Sequence, residues 1–560
     1  MSVDATRALK PYTSSMRIIV VLCVLTLPAF AQDHHAAPPA ATATALHPGL
    51  GNHHHPITTK IAEAQTYFDQ GLTLLYGFNH DEAARYFRRV SELDPDAAMA
   101  YWGLALAIGP NYNDAAVGEE RAKSTFAAVK KALELAPKAS AREQAYIHAL
   151  TKRFASDDPK SDWKQFHLDY SAAMRELVKK YPDDLDAAVL FAESLMMLRP
   201  WQLWTPDGKP AEGTLELVSV LESVLKHNPD HPAANHFYIH AVEASPNLER
   251  AIPSAMRLMS LVPGAGHLVH MPGHIFLQTG DYDLAAKTNI VASAADKEFV
   301  DRTGTTGVYP LMYWTHNIHF ISYARAQQGR YAEAREAANE MARQIGEADQ
   351  GMQMLEAFVT YPLINDLRFH RWEEILATPA PSDTRKLHRG LWQYAQAMAL
   401  ANRGKLAEAN AAREQFESLR KTIPPDSMYL GNNKSADVLA LAGATLDATL
   451  AWARGEKDRS VAAWQTAMEA EKAIQYDEPP AWHYPVQQSL GAALLRSGKA
   501  AEAESAFRQA LAKKPRDGRL LFGLWQSVLA QKRENEAALV EQQFRIAWKD
   551  ATVPLRIEDL

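Results

Sequence analysis

Cysteine is almost missing from this chain: 560 residues contain one, Cys23. It falls inside a short apolar run near the N-terminus and lacks the small residue that precedes a lipidated cysteine. A mature chain without thiols cannot build disulfides, Cys-ligated zinc, iron–sulfur clusters or covalently attached c-type haem. Any metal it holds must sit on His, Asp, Glu or backbone oxygens. Basic stripes are also missing. Lys and Arg number 59 against 66 Asp and Glu, a net charge of −7, so nucleic acid is excluded as a partner class. No HExxH, Walker A loop, GxSxG elbow or GxGxxG fingerprint occurs, and "GTTG" at residues 304–307 is too short to cradle a phosphate.

The N-terminus reads as an export signal. Arg17 precedes the apolar residues 18–27, and Ala29-Phe30-Ala31 supplies a small-x-small cleavage site, so residues 1–31 form a signal peptide with translation starting at Met1 or Met16. The run falls short of the ~20 residues a spanning helix needs, so no membrane span is expected after cleavage. A periplasmic or secreted location follows. Residues 32–59 are rich in Ala, Pro and His and read as a flexible linker. The His53-His54-His55 run within it could capture a metal ion, although in such a tether it reads as solvated.

From residue 60 to 560 no stretch alternates like a strand. Ala-rich helical patterns recur instead, punctuated by "LDPD", "TGDYDLA", "QGRYAEA", "RGKLAEA" and "SGKAAEA". A 34-residue register started at Tyr484 puts Leu490, Gly491, Ala503, Phe507, Ala510 and Pro515 at recurring places. One started at Ala64 puts Gly71, Ala83, Phe87 and Pro95 at equivalent places. These residues resemble the tetratricopeptide repeat over most of residues 60–550, with irregular spacing in the middle. The resemblance implies an all-α, right-handed superhelical solenoid of helix–turn–helix repeats. It also implies that first helices line a concave groove and contact ligands at places 2, 5, 9 and 12. Such repeats commonly bind peptides or partner proteins, so the fold alone does not settle function.

In that register the histidines become ordered. The unit starting at Pro232 places His236, His240 and Glu243 at 5, 9 and 12 of its first helix. The unit starting at Gly266 places His267, His270 and His274 at 2, 5 and 9, with Gly273 as the packing glycine at place 8. The unit starting at Thr315 places His316 and His319 at 2 and 5. Seven histidines and one glutamate thus share the inner stripe of three consecutive first helices within 232–328. That is several times the share expected when the chain has 21 histidines in 560 residues.

Side chains at i and i+3 or i+4 share a helix face, so each helix can offer two imidazoles to one ion. One pairing sets His236, His240 and Glu243 with His270 or His274, and His267 with His316 and His319. Pro272-Gly273 would free a carbonyl and tune the convergence.

Imidazoles with one carboxylate suit copper, iron or zinc, copper being favoured. The centre would be mono- or dinuclear, with a metal-dependent oxidoreductase ahead of a zinc hydrolase, and a small-molecule substrate or partner peptide in the groove. The competing expectation is a metal-free groove that binds peptides or proteins. His80 is expected to cap a helix, and His148, His167, His227, His231, His370 and His388 to be structural. "YDEPPAWHYP" reads as packing, with closure over the groove as its other use. Trp201 and Trp204 are candidates for an aromatic lid.

Overall fold

A computed structural model of the chain describes residues 45–350 and 352–560. The expected signal peptide and the first part of the expected linker lie outside the described residues. The described residues form an all-α solenoid. Helices succeed one another in packed pairs, from Ala62–Tyr76 with His80–Leu93 to Gly518–Ala530 with Glu534–Ala547. First helices also touch the next first helix, as Ala62–Tyr76 touches Ala98–Ile108, and that contact joins the pairs into one array.

The repeat residues do the packing expected of them. Ala64, Ala83, Phe87, Ala503 and Phe507 are fully buried. A methyl at Gly71 would lie 3.1 Å from the Phe87 ring, and one at Gly491 would lie 2.7 Å from the Phe507 ring. Aromatic and glycine are therefore a matched pair, the missing side chain making room for the ring of the second helix. Local chemistry sets the ends. Ser140 and Glu143 form a capping box, and Asp162, Asp184 and Asp517 accept N-terminal N–H groups. Gly280 closes its helix at φ +78°, with the Asp281 N–H returning to the Phe276 carbonyl at 2.8 Å.

Two features depart from a simple open solenoid. First, the C-terminal repeats fold back on the histidine repeats. Arg516 donates to Asp281 at 2.6 Å, Lys514 to the Gln278 side chain at 2.7 Å, and the Thr552 N–H to the Gly329 carbonyl at 3.1 Å. A short hairpin, Met428–Tyr429 paired with Asn433–Lys434, also reaches this region. The groove is partly covered at one side by Leu430, Gly431, Asn432, Asp477 and Glu478.

Second, residues 45–59, expected to be a solvated linker, are packed. Leu50 is buried, the Gly264 N–H donates to the Gly49 carbonyl at 2.8 Å, and the Thr58 N–H donates to Glu143 at 2.6 Å. Its polar groups find partners on three different repeats, which composition alone could not reveal.

Ser435–Ala453 is long and apolar enough to cross a membrane, but just over half of its most apolar stretch is buried within the array.

Candidate metal centre

The three histidine-bearing helices are Pro232–Val242, the nearly continuous pair Gly266–His270 and Pro272–Thr279, and Thr315–Gln327. Met271 keeps helical angles, so the expected break is a local one: Pro272 has no N–H for the carbonyl four residues before it. Gly273 lets the helix approach its partner, since a methyl there would lie 2.4 Å from Asn289 Nδ2. A single π-helical turn, Tyr309–Trp314, precedes Thr315 and sets the rotation of the third helix.

Seven of the eight expected residues converge, in a pairing the sequence did not foresee. Ligating atoms of His236, His240 and His267 lie within 4.8 Å of one another, and so do those of His270, His274 and His316. The trios are adjacent, the His240 and His274 rings standing 5.5 Å apart and the His267 and His270 rings likewise 5.5 Å. His267 therefore joins the first helix rather than the third. His319 joins neither trio. Its ring lies 4.1 Å from that of Tyr361 and 5.7 Å from that of Phe358, and 6.2 Å from that of His316. Places 2 and 5 are three residues apart, about 60° around the helix, which is enough for His319 to pack on Tyr361 while His316 joins the second trio.

Outer partners fix which ring nitrogen faces in. His236 Nδ1 donates to the Tyr76 carbonyl at 2.6 Å. His240 and His274 each give Nδ1–H to Glu243, at 2.9 and 2.5 Å. His270 Nδ1 donates to Asn289 Oδ1 at 2.7 Å, and Asn289 is itself oriented by giving its amide N–H to the Ala285 carbonyl at 2.8 Å. In these four rings the proton is committed outward, so their Nε2 atoms carry the inward lone pairs. His270 and His274 Nε2 stand 2.8 Å apart, His236 and His267 Nε2 3.2 Å, and His240 Nε2 is buried with no hydrogen-bond partner. Opposed lone pairs at such distances repel unless a cation or a shared proton lies between them. Outer hydrogen bonds of this kind are how proteins orient ligating histidines.

Electrostatics strongly favour neutral rings at four of the six trio histidines. Burial, reinforced by the other imidazoles, holds His236, His267, His270 and His316 well below the ordinary histidine range. Burial opposes ionisation of Glu243, but charge and hydrogen bonding from His274 and His240 outweigh it and hold its pKa at about 2. Glu478 behaves oppositely. Burial, then the charge of Glu243, pushes it well above the usual carboxylate range. It lies in the "YDEPPAWHYP" loop, its Oε1 accepting from Gln278 at 2.7 Å and from Tyr476. Its Oε2 is unpartnered, 3.6 Å from His274 Nδ1. That loop closes over the groove as well as packing.

The histidines open onto a cavity of ≈260 Å³, walled by Phe78, Trp201, Met312, Tyr313 and Leu430, with His316 half-buried at its edge. Trp201 serves as the aromatic wall, its ring 5.4 Å from that of His240, whereas Trp204 ties its indole N–H to the Ala241 carbonyl. His80 is not a cap: Asn79 takes the N-cap position and His80 lines the cavity. Tyr76, Asn289 and Glu478's neighbours in space carry no motif and were invisible as site residues. His231, expected to be structural, belongs to a second cluster considered below.

Residues 68–123 and 489–551 match the family described as Tetratricopeptide repeat. No curated protein matches the chain. Among solved structures, the human IFIT1 dimer with m7Gppp-AAAA is 13% identical, covering 88% of this chain and 91% of its own at a TM-score of 0.32. Yeast Tom70 is 11% identical, with 87% and 98% covered and a TM-score of 0.30. The Cut9–Hcn1 hetero-tetramer of APC/C is 13% identical, with 83% and 76% covered and a TM-score of 0.30.

Proposed function

We propose that this chain, which belongs to the tetratricopeptide-repeat superfamily, holds a pair of transition-metal ions between its histidine helices and oxidises a small molecule there. The observation that carries the reading is the inward convergence of two adjacent imidazole trios, in which His236, His240, His270 and His274 spend their Nδ1 protons outside and present Nε2 lone pairs inward. His236, His240 and His267 would hold one ion, and His270, His274 and His316 the other. Three neutral imidazoles per ion favour copper, with iron or zinc as alternatives. When bound, a copper pair supplies two one-electron acceptors side by side.

The chain's own groups do the remaining work. Glu243 keeps His240 and His274 in the ligating tautomer. The aromatic and apolar walls exclude water and select a small, largely apolar substrate. Glu478, whose protonated form is favoured by burial and by the charge of Glu243, can give a proton from Oε2 toward the cavity and take it back. A zinc-dependent hydrolase is the runner-up chemistry. The signal-like N-terminal sequence, with its apolar run and Ala29-Phe30-Ala31, supports a periplasmic or secreted location.

A second reading, a scaffold for peptides or proteins, rests on the repeat fold and on a separate polar groove of ≈810 Å³ near Arg413, Glu417, Asp447 and Arg454. The two readings separate by elemental mass spectrometry of protein purified without a His-tag. His240→Ala with His270→Ala should lower the metal content by about two equivalents while the helical circular-dichroism signal persists. Equal metal content in wild type and variant, after attempted loading with copper, iron and zinc, refutes the metal centre.

A further inference from the structure

Among the described residues, a second collection of metal-ligating side chains gathers where the 45–59 segment crosses the repeats. Asp184 caps Leu185–Met196, Asp186 lies in its first turn, and His231 immediately precedes Pro232–Val242. The segment lays His53 and His55 on them. His53 Nε2 is 3.1 Å from Asp186 Oδ1, His55 Nδ1 is 2.8 Å from Asp186 Oδ2, and His231 Nε2 is 3.3 Å from Asp186 Oδ1. His54, between them, turns outward to Asp69 at 2.8 Å. This alternation makes two of the three consecutive histidines converge, as expected of an extended strand.

We propose that His53, Asp186 and His231, backed by His55 and Asp184, form a separate divalent-metal site that clips the N-terminal segment to the repeats. Three observations support it. The ligating atoms of His53, Asp186 and His231 lie within 4.8 Å of one another, and those of His55, Asp184 and Asp186 do likewise. Two inward-facing atoms are buried without a hydrogen bond: Nε2 of His231, a residue 1% exposed, and Oδ2 of Asp184. Finally, the two carboxylates share little positive charge. The nearest guanidinium, Arg142, keeps 3.6 Å from Asp184 and is itself partly exposed. A divalent cation satisfies all three at once.

Imidazole and carboxylate ligands in this ratio suit zinc and its neighbours, and not calcium or magnesium. His231 Nδ1 accepts from the Ala234 N–H at a long 3.4 Å; binding an ion at Nε2 moves the ring proton to Nδ1 and gives up that weak bond together with the 3.3 Å approach of Nε2 to Asp186 Oδ1. The cluster opens onto a surface cavity of ≈880 Å³, which gives an ion a route in. It also lies directly behind the first trio, for Tyr76 donates its hydroxyl to Asp186 at 2.7 Å and accepts the His236 proton at its carbonyl. The clip thus steadies the carbonyl that orients His236.

The test is equilibrium dialysis of Zn²⁺ against the chelator-stripped, tag-free chain. His53→Ala with His55→Ala should remove one equivalent or weaken it at least tenfold, and His54→Ala should remove none. His231→Gln, which leaves the segment itself intact, should lose the same equivalent. Zn²⁺ should also protect residues 45–59 from limited proteolysis in the wild type and not in these variants. Equal zinc stoichiometry and affinity in wild type, the double variant and His231→Gln overturns the site, as does an equal loss in His54→Ala. The result is independent of the central trios, which the His240→Ala with His270→Ala pair probes separately.

Discussion

Replacing Glu243 by Gln should uncouple the ligand set without changing its shape. The carboxylate accepts Nδ1–H from His240 and His274 at 2.9 and 2.5 Å, one bond to each oxygen. A glutamine can accept only one of them; its NH₂ then meets the other Nδ1–H donor to donor. That ring can escape by moving its proton to Nε2, which removes the lone pair a metal needs. One trio therefore drops to two imidazoles. Loss of an outer partner of this kind typically weakens metal binding 10–100-fold, or about 1.4–2.7 kcal/mol.

The metal-free protein should respond as well. A carboxyl pKa held at about 2, against an ordinary 4.5, corresponds to roughly 3 kcal/mol of folding stability. Because the folded pKa is the lower one, this contribution is complete above the ordinary carboxyl range and is lost as pH falls toward about 2. Glu243→Gln should abolish that part of the acid dependence and cost about 1–3 kcal/mol at neutral pH for the unsatisfied donor. Competition with a chromogenic chelator measures the affinity, and thermal melts across pH measure the stability. Metal affinity within threefold of wild type would show that the outer bonds do not set the tautomers.

Three further outcomes are expected. Gly273→Ala puts a methyl 2.4 Å from Asn289 Nδ2, so it should cost about 1–3 kcal/mol in a melt and weaken metal binding through His270; an unchanged Tm would contradict the close packing. The metal-free protein should lose stability as pH drops below about 6.5, by roughly 1.4 kcal/mol per pH unit for each imidazole whose folded pKa is depressed, because only the unfolded chain takes up those protons. Melts at pH 7.5 and 5.5 check this. Asp296, buried beside Tyr309 and Asn317, has its pKa raised to about 7, so its ionisation penalises folding increasingly as pH rises from about 4 to 7. Asp296→Asn should match wild type near pH 4 and exceed it by a few kcal/mol at pH 8, with denaturant midpoints as the readout.

Much of the architecture was legible because repeats announce themselves. Glycine, small and aromatic residues recur at fixed spacing, and each place has one packing duty, as Gly71 with Phe87 and Gly491 with Phe507 demonstrate. The same register predicted that His236, His240, His267, His270, His274, His316 and His319 share one stripe with Glu243, since a helical face is a local property of 3.6-residue periodicity, and all but His319 meet there.

Local periodicity cannot say how far a helix is rotated against its neighbour. That angle is set by the π-helical turn before Thr315 and by Asn289 filling the space beside Gly273, and it decided that His319 faces Tyr361 while His267 pairs with His236. Nor can periodicity foretell contacts between residues hundreds of positions apart. The return of the 514–516 turn onto Gln278 and Asp281, and the seating of His53 and His55 on Asp186, required the superhelix to close. From its sequence alone this protein had its repeats and the inward face of its histidines determined, because both follow from neighbours along one helix. Only the tertiary structure decided which imidazoles meet and what orients them, because those depend on helix rotation and chain closure.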